Sequence, residues 1–200
     1  MLFEALNEQT LKKVQQTKLP YFIFSEKEQI GGSFGERYVN AIQNIFDKGY
    51  DNVITIGNDT PNLQTKQLLD AAKSVSQQQV VFGPSIDGGY YLMGLHRSQF
   101  NPEAFLQLPW QTQNLLGSFK RLLAVKNTKV VLLQTLRDID TVADIKKLMD
   151  GFKLVCASLL RIFHTIFEPE APQYPAFQFA TASFQKQQPF NKGSPRVLHS

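Results

Sequence analysis

The stretch VITIGNDTP at residues 53–61 ends a short apolar run on an acid, Asp59. The stretch VVFGPSIDGGYYL at residues 80–92 repeats this arrangement, with Asp87 followed by paired glycines. A third apolar run, at residues 130–133, precedes the acidic sequence DIDT at residues 138–141. In α/β sheets, ligands bind in the crevice beyond the carboxyl ends of the strands. Because several carboxylates suit a hard divalent cation and a phosphate-bearing substrate, the pattern indicates an enzyme that acts on phosphate esters.

Hydrophobic periodicity predicts that strands and helices alternate between residues 1 and 150. The start of one helix is marked by Ser33 and Glu36, which have the spacing of a capping box. The alternating order indicates an α/β fold with a mostly parallel sheet and helices on both faces. The predicted strands are 21–24, 52–57, 79–83, 89–95 and 129–133, and the predicted helices are 4–17, 33–48, 64–77, 112–125 and 141–149.

The composition changes after residue 150, which predicts one domain at 1–150 followed by an appended segment at 151–200. Residues 152–167 are apolar enough to predict one further helix. Residues 169–200 contain half of the ten prolines and scattered aromatic residues without clear periodicity. We expect this stretch to be an extended tail that either wraps around the domain or is disordered.

Charge and cysteine content exclude several classes of protein. The net charge of +4 is only mildly basic, and no run of Lys and Arg is longer than a pair, so nucleic acid is not the expected partner. The single cysteine, Cys156, excludes an internal disulfide framework. Apolar runs are too short to span a bilayer, and the first residues do not resemble a secretory signal. We therefore expect a cytoplasmic protein with no membrane span.

The acids and their neighbours each have two interpretations at this stage. Asp59 either ligates a metal or forms an Asx turn before the next helix, and Asn58 could bond the same turn or a ligand hydroxyl. Asp87 with Gly88 and Gly89 either forms a simple turn or lets the backbone approach a sugar or phosphate closely.

The late acidic motif contains Asp138 and Asp140, which share one face if the backbone is extended. Two carboxylates on one face repel each other unless a cation or hydrogen-bond donors lie between them. The alternative is that Asp138 is a loop acid and Asp140 merely precedes a helix cap. The only tryptophan, Trp110, is expected to pack in the core or a lid rather than to stack on a ligand.

Five segments taken together resemble one bacterial family. They are GER at 35–37, IGNDTPNL at 56–63, GPSIDGGYYLMGL at 83–95, PWQT at 109–112 and DIDT at 138–141. The family consists of small glycosyltransferase-like proteins called transferase 1, radical-SAM/selenoprotein-associated. It belongs to the nucleotide-diphospho-sugar transferase superfamily, which has the GT-A fold. The resemblance extends from about residue 3 to residue 149.

The resemblance implies a Rossmann-like, three-layer α/β/α fold that uses Mg²⁺ or Mn²⁺ to bind a nucleotide sugar or a nucleoside triphosphate. It implies that Asp59 and Asp140 ligate the metal. The neighbourhood of Asp87, in the segment that the resemblance assigns to the acceptor or sugar pocket, makes Asp87 the candidate general base beside a small-molecule acceptor. The residues implied to bind the nucleotide or sugar are Asn58, Gly88, Gly89 and Asp138.

The sequence departs from the family at its start, where the usual first strand and its phosphate-binding loop are not found before Pro20. The leading hypothesis is a metal-dependent glycosyltransferase that uses a nucleotide-diphospho-sugar donor. The alternatives are a nucleotidyltransferase that acts on a phosphate-bearing acceptor, and a non-catalytic member that serves as a binding module. Homo-oligomerisation through the tail is left open.

Overall fold

The computed structural model describes residues 2–124, 128–139 and 196–198 of the chain. None of the helices in these residues is long and apolar enough to cross a membrane. The helices are α1 (Leu2–Gln16), α2 (Phe34–Asp47), α3 (Thr65–Ser76), α4 (Pro102–Leu106) and α5 (Leu115–Ala124). The strands are β1 (Tyr21–Ile23), β2 (Asn52–Ile56), β3 (Val80–Pro84), β4 (Tyr90–His96), β5 (Val130–Leu132) and β6 (Arg196–Leu198).

The predicted elements before residue 134 are all present, and the capping box at α2 is confirmed. The Glu36 amide donates to Ser33 Oγ over 3.1 Å, and the Ser33 amide donates to Glu36 Oε2 over 3.2 Å. The short helix α4 and the strand β6 were not predicted. The predicted helices at 141–149 and 152–167 lie outside the described residues.

The described strands form one sheet in the order β1-β6-β2-β4-β3-β5. The prediction of a mostly parallel sheet was wrong, because the sheet is mixed and only β3 and β5 pair in parallel. One reason is the turn at residues 85–89, which joins β3 directly to β4 as an antiparallel hairpin. The other is β6, which pairs antiparallel with both β1 and β2.

Strand direction nevertheless brings the acidic segments to one place. Strand β4 runs antiparallel to both β2 and β3, so β2 and β3 run in the same direction, and β5 is parallel to β3. The carboxyl ends of these three strands therefore share one edge of the sheet, where ligands bind in α/β folds. Asp59, Asp87 and Asp138 all follow the ends of these strands.

Both faces of the sheet are buried by helices. Along β2, Val53 packs into one core and the next residue, Ile54, packs into the other, as the two-residue period of a strand requires. The first core is built largely from α2, α4 and α5, and the second from α1 and α3. The sheet and the helices on its two faces thus form a three-layer arrangement. Packing on both faces holds the strands, and with them the edge at which the acids lie, in a fixed position.

Strand β6 is short, but β1 depends on it for its place in the described sheet. Val197 lies opposite Phe22 in β1 and opposite Thr55 in β2. We expect Val197→Pro to free the β1 amides, because proline removes a backbone donor and disrupts strand pairing. Hydrogen exchange should report a fall of about 1 kcal/mol in the opening free energy of β1. Val197→Thr keeps the donor and serves as the control, and unchanged exchange in the proline variant would contradict the pairing.

Candidate functional site

Three chain segments meet at the carboxyl edge of the sheet through backbone hydrogen bonds. The Ile139 amide donates to the Asp59 carbonyl over 2.8 Å, which joins the late acidic motif to the end of β2. The Leu136 amide donates to the Pro84 carbonyl, and the Ile86 amide donates to the Leu136 carbonyl, each over 3.1 Å. These bonds fix Asp59, the turn at residues 85–89 and Asp138 relative to one another.

A single hydroxyl lies between two of the acids. Thr60 Oγ1 donates to Asp138 Oδ1 over 2.6 Å and lies 3.4 Å from Asp59 Oδ1. Thr60 itself is almost fully buried. The structure therefore brings Asp59 and Asp138 together, and Thr60 is the residue that bridges them.

The pKa of Asp138 differs from that of an exposed carboxylate. Burial raises the pKa of Asp138 to about 7, and the negative charges of Asp59 and Asp87 contribute to the rise. The hydroxyls of Ser85 and Thr60 partly oppose it because they stabilise the ionised form. A carboxyl that ionises near neutral pH among other acids is typical of a functional site, where a proton or a cation is held.

Asp87 lies in an exposed turn, and the turn interpretation is confirmed. The Gly89 amide donates to Asp87 Oδ1 over 3.0 Å, and Gly88 has a φ of +90°, which favours glycine. The charge of Asp87 nevertheless reaches Asp138. Asp87, Gly88 and Gly89 thus border the acidic edge, while their contact with a ligand stays a prediction.

The residues just before Asp59 are packed tightly around its carboxylate. A Cβ at Gly57 would lie 2.8 Å from Asp59 Oδ1, so a larger residue there would displace the acid. Asn58 is buried, and its Nδ2 donates to Asn7 Oδ1 over 2.5 Å. Asn58 Oδ1 is buried without a hydrogen-bond partner among the described residues, and such oxygens call for an explanation.

Some of the described side chains could contribute to a metal site. The carboxylates of Asp59 and Asp138, joined through Thr60, are hard oxygen donors of the kind that Mg²⁺ and Mn²⁺ accept, and a nearby cation would lower the raised pKa of Asp138. Within residues 2–124 and 128–139, however, no three acid, histidine or cysteine side chains form a metal-holding group. Asp140, the second predicted ligand, lies outside the described residues.

Sequence reasoning missed the polar residues that support the acids. Thr60 and Ser85 are buried beside Asp138. Each lies inside one of the quoted motifs, and a polar residue soon after a buried strand is the signal that could have identified them. Trp110, by contrast, packs in the core as expected, and its Nε1 donates to the Phe105 carbonyl over 2.9 Å.

Tyr91 links the site to the core of the sheet. Its hydroxyl donates to the Gln134 carbonyl over 2.9 Å and accepts from Gln67 Nε2 over 3.4 Å. Burial and then the charge of Asp138 raise the pKa of Tyr91 to about 12, so the phenol stays protonated at neutral pH.

Tyr91→Phe should cost about 1 kcal/mol of stability in denaturant unfolding, because it leaves a partly buried carbonyl unpaired. The exposed Tyr21 on β1 provides the control, Tyr21→Phe, which should cost less than about 0.5 kcal/mol. Equal losses in the two variants would contradict the role given to the buried hydroxyl.

The fold and the motifs have counterparts among known proteins. A crystal structure at 1.90 Å of a "putative nucleotide-diphospho-sugar transferase" from Desulfovibrio desulfuricans G20 is similar to this chain, with a TM-score of 0.68 and 24% sequence identity. The similarity covers 83% of each chain. The sequence matches no curated protein.

The profile of one bacterial family, described as "Uncharacterized protein conserved in bacteria (DUF2064)", matches residues 5–112. These residues include β2, the turn at residues 85–89 and the loop that follows α4. The match covers more than half of the chain and includes Asp59 and Asp87. The chain therefore belongs to the DUF2064 family.

Proposed function

We propose that this protein is a metal-dependent, glycosyltransferase-like enzyme that uses a nucleotide-diphospho-sugar as donor. The observation that carries the proposal is the meeting of Asp59 and Asp138 around the Thr60 hydroxyl at the carboxyl edge of the sheet. The raised pKa of Asp138 supports it, because acids held together in a site need a cation or a proton. The name of the Desulfovibrio protein supports the class of donor.

In this mechanism Asp59 and Asp140 would hold Mg²⁺ or Mn²⁺, and Asn58 would contact the nucleotide sugar. The bound ion supplies charge neutralisation for a leaving diphosphate. Asp138, which accepts a hydrogen bond from the Thr60 hydroxyl, would lie beside the diphosphate. Asp87, fixed by the Gly89 amide, is the candidate base that accepts a proton from the acceptor. Gly88 and Gly89 keep the backbone free of side chains beside it.

The proposal is tested by thermal unfolding of the full chain with UDP-glucose, GDP-mannose, ATP and GTP, each with and without Mn²⁺. A ligand that binds the folded state raises the melting temperature as its concentration exceeds the Kd. We expect a rise with a nucleotide sugar that requires Mn²⁺. The same assay without any nucleotide tests the cation alone, which should also stabilise the acidic edge.

Product analysis separates the proposed reaction from the alternatives. Release of a nucleoside diphosphate from a nucleotide sugar supports the glycosyltransferase, whereas release of pyrophosphate from a nucleoside triphosphate supports a nucleotidyltransferase. If no nucleotide changes the melting temperature of the folded protein, both enzymatic readings fail and a binding module becomes the better account.

A further inference from the structure

The loop at residues 109–114 packs against two glycines, Gly35 and Gly88. A Cβ at Gly35, in the first turn of α2, would collide with the Trp110 ring. A Cβ at Gly88 would lie 3.4 Å from the Cα and the carbonyl oxygen of Gln113. Both glycines therefore leave room for this loop, which places it against the turn that carries Asp87.

Trp110 fixes the start of the loop by packing into the core. Its ring centroid lies 4.8 Å from that of Tyr38 and 5.6 Å from that of Phe119, within the aromatic core. Its Nε1 donates to the Phe105 carbonyl over 2.9 Å, so the indole is fixed by packing and by a hydrogen bond. The residues that follow Trp110 therefore begin from a position that the core fixes.

The backbone at Gln111 is strained for a residue with a side chain. Gln111 has a φ of 60°, in the left-handed region that non-glycine residues seldom adopt. The other two described non-glycine residues with positive φ, Lys18 and Gln78, each follow the end of a helix, where this conformation is common. Gln111 follows no helix end directly, and strain of this kind is often retained at ligand-binding loops.

The chemistry of the loop differs from that of the acidic edge. Residues 111–114, which we call the amide loop, are Gln, Thr, Gln and Asn, and all are exposed. Between Glu103 and Lys120 the sequence contains no charged residue. Amide side chains both donate and accept hydrogen bonds, which matches the hydroxyls of a sugar ring better than the charge of a diphosphate.

We propose that the amide loop binds the sugar of the donor, with Gln111 and Gln113 contacting its hydroxyls beside Asp87. This inference rests on the proposed function, because it assigns one part of a nucleotide sugar to one wall of the same site. The diphosphate would lie at the acidic edge with the metal, and the uncharged sugar would face the loop.

The test uses the double variant Gln111→Gly and Gln113→Ala in the full chain. Glycine at 111 removes the amide and also relieves the strained φ, so the fold should keep its stability. We expect binding of UDP-glucose or GDP-mannose with Mn²⁺, measured by calorimetry, to weaken by about 5–20-fold through the loss of two hydrogen bonds. Binding of UDP or GDP should change by less than about twofold.

The control is Gln77→Ala, which removes an exposed glutamine next to the carboxyl end of α3, away from the amide loop in the chain. It should change neither the Kd for the nucleotide sugar nor the Kd for the nucleoside diphosphate. An equal loss for nucleotide sugar and nucleoside diphosphate, or a loss for neither, would overturn the assignment while leaving the proposed function in place. If the wild-type chain binds none of UDP-glucose, GDP-mannose, UDP and GDP, the proposed function is overturned, and the sugar assignment with it.

Discussion

Asp59→Asn is expected to abolish the Mn²⁺-dependent rise in melting temperature with a nucleotide sugar. Asparagine keeps the size of the side chain and removes only the charge, so the packing against Gly57 is preserved. We expect Mn²⁺ affinity to fall by about 100-fold or more, since even the partners of metal ligands contribute about 10–100-fold. Calorimetric titration of Mn²⁺ into the protein measures the loss directly.

The matched control is Asp70→Asn, which removes the same charge from the exposed face of α3. Asp70 pairs with Lys66 in the preceding turn of that helix, 3.0 Å away, and this exposed pair contributes little to stability. The variant should bind Mn²⁺ and nucleotide sugar as the wild type does. Retention of Mn²⁺ binding in Asp59→Asn would show that the metal assignment is wrong.

The carboxyl edge of the sheet could be predicted because it follows from local patterns. Each of β2, β3 and β5 is a short apolar run that ends in polar residues, and the sequence shows where each ends. Strands of this kind, separated by helices, run in the same direction, so the acids that follow them gather at one edge. The positions of Asp59 and Asp138 at this edge therefore follow from the sequence pattern alone.

The pairing partners could not be predicted in the same way. Strand β4 folds back beside β3 and separates it from β2, and β6 inserts between β1 and β2 from a position remote in the chain. Hydrophobic periodicity describes one strand at a time and does not state which strand lies beside it. The role of Thr60 was missed for a related reason, because its contact with Asp138 joins residues that are far apart in the sequence.

Asp138→Asn is expected to stabilise the protein at pH 8 in the absence of divalent cations. The wild-type carboxyl is ionised at this pH although it is largely buried beside Asp59, and burial is the main cause of its raised pKa. Asparagine removes the charge and can still accept the hydrogen bond that Thr60 donates. We expect a gain of about 1–3 kcal/mol in the free energy of unfolding, measured with urea in a low-salt buffer.

The direction of the pH dependence follows from the pKa in the two states. In the folded protein the pKa of Asp138 is about 7, above the value of about 3.9 for an unfolded chain. Between these values the folded state binds more protons, so this group makes stability fall as the pH rises. The advantage of Asp138→Asn should therefore be small near pH 4, grow up to about pH 7 and then level off.

A divalent cation should reverse part of this difference. If Mn²⁺ binds beside Asp138, it stabilises the ionised carboxylate of the wild type more than the neutral amide, and the advantage at pH 8 should shrink as Mn²⁺ is added. Asp70→Asn is again the matched control, because its exposed charge should give no gain that grows with pH. An advantage that stays constant from pH 4 to pH 8 would contradict the raised pKa. If Mn²⁺ leaves the stability gain of Asp138→Asn at pH 8 unchanged, Asp138 does not lie beside the metal.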